Sequence, residues 1–94
     1  MATYILLGTF TDEGAEKIRS HPEWIDQVNQ DLSKMGVTVI AQYAVLGPYD
    51  LVNIIEAPDN RSVVRVSADL SLRGSVRITS MPALPIEEFL ATLK

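Results

Sequence analysis

The sequence contains no cysteine and one histidine, which excludes disulfide scaffolds, Cys-ligated zinc, iron–sulfur clusters and thiol catalysis. One histidine without cysteine leaves only hard-metal carboxylate sites, and no Asp-rich loop is present. Glycine is scarce as well: the five residues, at 8, 14, 36, 47 and 74, stand too far apart for a phosphate-binding loop, and none precedes a Lys-Ser/Thr pair. Nor is there a Gly-x-Ser-x-Gly elbow on which a serine triad with His21 would be built. No uninterrupted apolar run approaches the roughly 18 residues of a membrane span, the nearest being Val37 to Leu46 with Thr38 and Gln42 inside it. The N-terminus lacks a basic stretch and its apolar run stops at Gly8, so no signal or transit peptide is expected.

Basic residues are outnumbered, 8 against 12 acidic, for a net charge of −4. An anionic membrane or a nucleic-acid backbone would repel such a surface. The basic aromatic motif of RNA-binding sheets is missing too. With 94 residues, 47% hydrophobic and 21% charged, the chain is expected to fold as one domain over 1–94, soluble and cytoplasmic.

Pattern switches along the chain mark the elements. Thr3 to Phe10 reads as a strand, ending at Thr11-Asp12-Glu13-Gly14, where Thr11 can cap a helix whose first turn holds two carboxylates. Ile18, Ile25, Val28, Leu32 and Met35 keep helical spacing, Pro22 is expected to kink or restart the helix, and Gly36 to stop it. Two strand-like runs, Val37 to Leu46 and Leu51 to Ala57, flank the turn formers Gly47-Pro48-Tyr49-Asp50 and read as a hairpin. Asp59 or Asn60 can cap a second helix carrying Val63, Val66 and Leu70, ended by Gly74. Ser75 to Met81 reads as a fourth strand, with Val76 and Ile78 opposite Arg77 and Thr79. In the tail, 84–94, Pro85 precedes the stripe Ile86, Phe89, Leu90 and Leu93, a short helix expected to dock on its own sheet or on another subunit. The order β-α-β-β-α-β plus a tail helix is an α+β, ferredoxin-like pattern with both main helices on one face of an antiparallel sheet.

If the hairpin closes with Leu46 opposite Leu51, then Gln42, Ala44, Asn53 and Ile55 share one face, and Tyr43, Val45, Val52 and Ile54 share the other, expected to be helix-covered. Ile5, Leu7, Thr9, Arg77, Thr79 and Met81 are expected to join the first set. That face is too aliphatic to be left in water, which predicts a homodimer packed sheet against sheet.

Tyr4-Ile5-Leu6-Leu7, Phe10-Thr11-Asp12-Glu13-Gly14, Tyr43, Gly47-Pro48-Tyr49-Asp50-Leu51-Val52, Glu56-Ala57-Pro58-Asp59 and Gly74-Ser75-Val76-Arg77 together form a family pattern. Over about residues 4 to 83 the chain resembles the GYD domain family of small, mainly prokaryotic proteins, whose Gly-x-Tyr-Asp motif is here Gly47, Tyr49 and Asp50. The resemblance implies a ferredoxin-like fold of the dimeric α/β-barrel type that self-associates through its sheet, and it implies no particular reaction. Where relatives often carry Pro-Arg after the helix kink, this chain has Pro22-Glu23-Trp24, so no role of that arginine transfers.

The candidate ligand-binding residues are Gln42, Asn53, Arg77 and Thr79 on the inferred inner face, Tyr49 and Asp50 in the turn, and His21 at the helix break. The four sheet residues could hold a small organic ligand, with Arg77 on a carboxylate or phosphate, or satisfy one another across a dimer seam. Tyr49 and Asp50 could serve as an acid/base pair or shape the turn, the aspartate accepting turn amides. His21 could act as a general base or stand as a solvated kink residue, and Trp24 could cover a pocket mouth or pack at the helix surface. No metal or cofactor is expected. The leading reading is a homo-oligomeric ligand-binding or assembly module. Two others stand beside it. A cofactor-free isomerase- or monooxygenase-like enzyme of the dimeric α/β-barrel kind predicts a cavity of roughly 300 Å³ or more lined by Tyr or His. An interaction protein would work through its tail stripe.

Overall fold

Alternation decides the layers. The computed structural model describes residues 1–94, and in its first strand, β1 (Ala2–Phe10), Tyr4, Leu6 and Gly8 are buried while their neighbours are not. Two helices follow, α1 (Asp12–Ser20) and α2 (Trp24–Lys34), then β2 (Thr38–Ala44), β3 (Leu51–Ala57), α3 (Asn60–Leu72), β4 (Val76–Ala83) and α4 (Ile86–Ala91). The strands form one antiparallel sheet in the order β2-β3-β1-β4. That is the ferredoxin-like arrangement, with its first helix divided and a tail helix added. No helix is long and apolar enough to cross a membrane.

The punctuation acts where the sequence places it. Thr11 caps α1, its Oγ1 accepting from the Gly14 N–H at 3.1 Å. Pro22 has no N–H to continue the ladder, so the chain breaks at residues 21–23 and restarts as α2. Gly36 and Gly74, both at φ +82°, end α2 and α3 in a conformation that a Cβ would strain. Asp59 caps α3, its Oδ1 accepting from the Ser62 N–H at 2.9 Å, and this bond holds its carboxyl below the ordinary 3.8. Arg73 ties the ends of α2 and α3 by bonds to Asp31 and Asp69 at 2.9 and 2.8 Å. The same guanidinium, and then Gln27, hold the Asp31 carboxyl below its ordinary value.

Helices and sheet meet in a core of Tyr4, Leu6, Leu32, Val37, Ile55, Ala57, Val63, Val66, Leu70 and Val76. Its buried hydroxyl, on Tyr4, donates to Asn60 Oδ1 at 2.6 Å and so is satisfied.

Two expectations about placement are corrected. The hairpin pairs Ala44, not Leu46, with Leu51, because Val45 N–H donates to Asp50 C=O and residues 45–50 all lie in the turn. A slip of two residues preserves the faces within the hairpin, but their assignment is reversed. Leu6, not Leu7, stands opposite Asn53, so Gln42, Asn53 and Ile55 face the helices, whereas Tyr43, Val52 and Ile54 lie with Ile5, Leu7 and Thr9 on the open side. Arg77, Thr79 and Met81 do lie with Ile5, Leu7 and Thr9, as expected. A bulge between Val39 and Ala41, which leaves Ile40 without a register partner, lets β2 keep Val39 inward on one side and Gln42 inward on the other. Of the two docking places expected for the tail helix, its own sheet is not the one used within the single chain: Ile86, Leu90 and Leu93 of this stripe are 62%, 51% and 68% exposed.

Candidate functional site

The candidate residues fall into three places. Gln42 and Asn53 are opposite each other on β2 and β3 and point beneath α2. There they border a cleft of about 40 Å³ walled by Leu6, Phe10, Trp24, Ile25, Val28 and Leu32. Gln42 is bound twice to Asn29 of α2: Asn29 Nδ2 donates to Gln42 Oε1 at 2.9 Å, and Gln42 Nε2 donates to Asn29 Oδ1 at 3.1 Å. Asn53 donates from Nδ2 to the Leu6 C=O at 3.2 Å, and its Oδ1 is buried without a partner. Asn29 is the member of this group that sequence reasoning missed. Its signal was a carboxamide on the otherwise apolar side of α2, among Ile25, Val28 and Leu32.

An unpaired buried acceptor carries its desolvation cost without return. Asn53→Val, a strand-favouring side chain closer in bulk that removes this oxygen at the expense of the 3.2 Å bond to Leu6, is expected to stabilise the fold by about 1 kcal/mol, a rise of roughly 4–8 °C in melting temperature. A fall in the thermal melt would mean that the oxygen is satisfied in solution by a guest in the cleft.

The turn residues make backbone contacts that shape the hairpin. Gly47 sits at φ +117°, where a side chain would be strained. Asp50 does not accept turn amides: its Oδ2 takes the Phe10 N–H at 2.9 Å, and its own N–H donates to Gly8 C=O at 2.8 Å. One residue thus clamps the hairpin to the end of β1, while Tyr49 beside it is half-buried. At the helix break, His21 Nδ1 lies 3.5 Å from Glu23 Oε1, both side chains largely in solvent. Trp24 turns inward to wall the cleft, and Lys17 Nζ stands 5.4 Å from its ring centroid while donating to Ser75 Oγ at 3.2 Å.

The third place is the open face of the sheet, which holds Arg77 and Thr79 beside Thr9 and Leu7. Gln42 and Asn53 are therefore on the opposite side of the sheet from Arg77 and Thr79, and the four do not form one pocket. Glu56, which reasoning from the sequence did not single out, lies on this open face in register with Thr3 and Thr38.

The hollows also bear on the enzymatic reading. The two largest, of about 500 and 480 Å³, are open grooves lined without Tyr or His. The hollow that includes Tyr4 measures about 190 Å³. The single chain therefore has no cavity of the size and lining that reading requires. No three His, Cys, Asp or Glu side chains group as metal ligands.

The GYD domain pattern matches residues 4–93, running past residue 83 and through α4. A protein of Thermus thermophilus named glutamine synthetase and cystathionine beta-lyase binding protein is 50% identical over 95 residues, 100% of both chains. The crystal structure of a second protein from the same organism superposes with a TM-score of 0.59 at 23% identity, covering 90% of this chain and 95% of that one, a likeness of fold.

Proposed function

We propose that this chain, which belongs to the GYD domain family, is a homodimeric protein-binding module: two copies close their open sheet faces, and the apolar tail stripe is left to capture a partner protein. The observation that carries this reading is the open face itself. Ile5, Leu7, Val52 and Ile54 occupy its centre, half-buried by their neighbours on the side of the sheet away from the helix-covered core, and an aliphatic sheet face of that kind is stable when covered. On α4, Phe89 and Leu90 are 46% and 51% exposed and lie beside Ile86 and Leu93 at helical spacing. Half identity over the whole length to a protein named for binding two enzymes supports capture of an enzyme subunit.

Titration calorimetry of purified bacterial glutamine synthetase and cystathionine beta-lyase with the full chain tests this. Saturable binding of either enzyme is expected, weakened about tenfold or more by Phe89→Ser with Leu90→Ser, since truncating apolar anchors removes most of an interface's energy. Absence of binding to both enzymes, or binding indifferent to the tail substitutions, would contradict it.

A further inference from the structure

The open face carries two charged side chains, Arg77 on β4 and Glu56 on β3, among threonine, aliphatic, tyrosine and methionine neighbours. Neither takes part in an ion pair within the chain, where the pairs are Arg19–Glu16, His21–Glu23, Arg73–Asp31 and Arg73–Asp69. Neither side chain makes an intramolecular hydrogen bond. Covering this face with anything apolar would strip water from both charges and leave each unpaired, at a cost that apolar burial would have to overcome.

Their placement suits one occupant. Arg77 is in register with Thr9 and Glu56 with Thr3. Thr3 and Thr9 are six residues apart on β1, so the two charges are about 20 Å apart along the strands. They flank β1 from opposite sides, about 10 Å apart across the sheet. The midpoint between them falls on β1 at Leu6, between the outward side chains of Ile5 and Leu7. A two-fold axis lying in the plane of contact through that midpoint, perpendicular to the line joining the charges, exchanges their positions.

We infer that a second copy of this chain docks on the open face in the register that sets Arg77 of each copy against Glu56 of the other. Two reciprocal ion pairs then bracket an apolar centre, and face-to-face registers that oppose like charges are rejected. The inference rests on the homodimer proposed above and adds the residues that orient it.

Charge reversal separates the two claims. Sedimentation equilibrium of the full chain is expected to show Arg77→Glu and Glu56→Arg each weakening self-association at least about tenfold, because each creates two like-charge contacts per dimer. The double variant carrying both changes is expected to return to within about threefold of wild type, since opposite charges again meet. Both positions point away from the core, and thermal melts check that each variant folds; if a reversal does not fold, Arg77→Gln and Glu56→Gln take its place with smaller losses expected. Single variants that associate like wild type, or a double variant no tighter than the singles, overturn the pairing and leave the dimer standing. A wild-type chain that is monomeric throughout overturns the dimer and the pairing with it.

Discussion

Gly14→Ala is expected to lower stability by about 3 kcal/mol, a drop of roughly 12–24 °C in melting temperature. The cause is a close approach of backbones. A Cβ on Gly14 would lie 1.7 Å from the Ser75 carbonyl oxygen and 2.7 Å from its carbon. Neither atom can swing aside as a side chain would. The corner is also tied by polar bonds: Thr11 N–H donates to Ser75 C=O at 3.1 Å, and Thr11 Oγ1 donates to Gly74 C=O at 2.7 Å while capping α1. Moving α1 away to make room would stretch these bonds and uncover Val76 below. A melting temperature within a few degrees of wild type would show that the corner is looser than this geometry.

Two adjacent isoleucines are expected to respond in opposite ways. Ile55 is fully buried against the helices, so Ile55→Ala should cost about 3 kcal/mol, or roughly 12–24 °C, through lost transfer energy and the cavity left behind. Ile54 points to the open face beside Ile5. Ile54→Asp should leave the stability of the single chain within about 1 kcal/mol of wild type while abolishing self-association, because it buries an unpaired carboxylate at the centre of the seam. Thermal melts at low protein concentration resolve the first effect. Equal losses from the two substitutions would contradict the assignment of faces.

That assignment is also where sequence reasoning reached its limit. The ends of the helices were legible because Thr11, Pro22, Gly36, Asp59 and Gly74 act locally, on backbone groups within a few residues. In β4 the alternation of Val76 and Ile78 with Arg77 and Thr79 has a polar and an apolar phase, so its faces were legible too. β3 offers no such contrast: Leu51-Val52-Asn53-Ile54-Ile55 is apolar in both phases apart from Asn53, and a polar residue in an aliphatic strand reads as facing outward. Its true phase comes from pairing with β1, Leu6 against Asn53, a relation spanning 47 residues. Asp50 is similar. Its bond to the Phe10 amide crosses 40 residues, so local chemistry pointed to the turn instead. The candidate site was therefore legible in its residue types and not in its grouping, because the sheet itself separates Gln42 and Asn53 from Arg77 and Thr79.

Sedimentation equilibrium of the wild-type chain beside Ile54→Asp tests the central claim, that the open face is a self-association surface. The account predicts a wild-type mass of about 21 kDa, twice the 10.4 kDa of one chain, and 10.4 kDa for the variant. A wild-type chain that remains at 10.4 kDa up to millimolar concentration, or an Ile54→Asp variant that associates as wild type does, would contradict it.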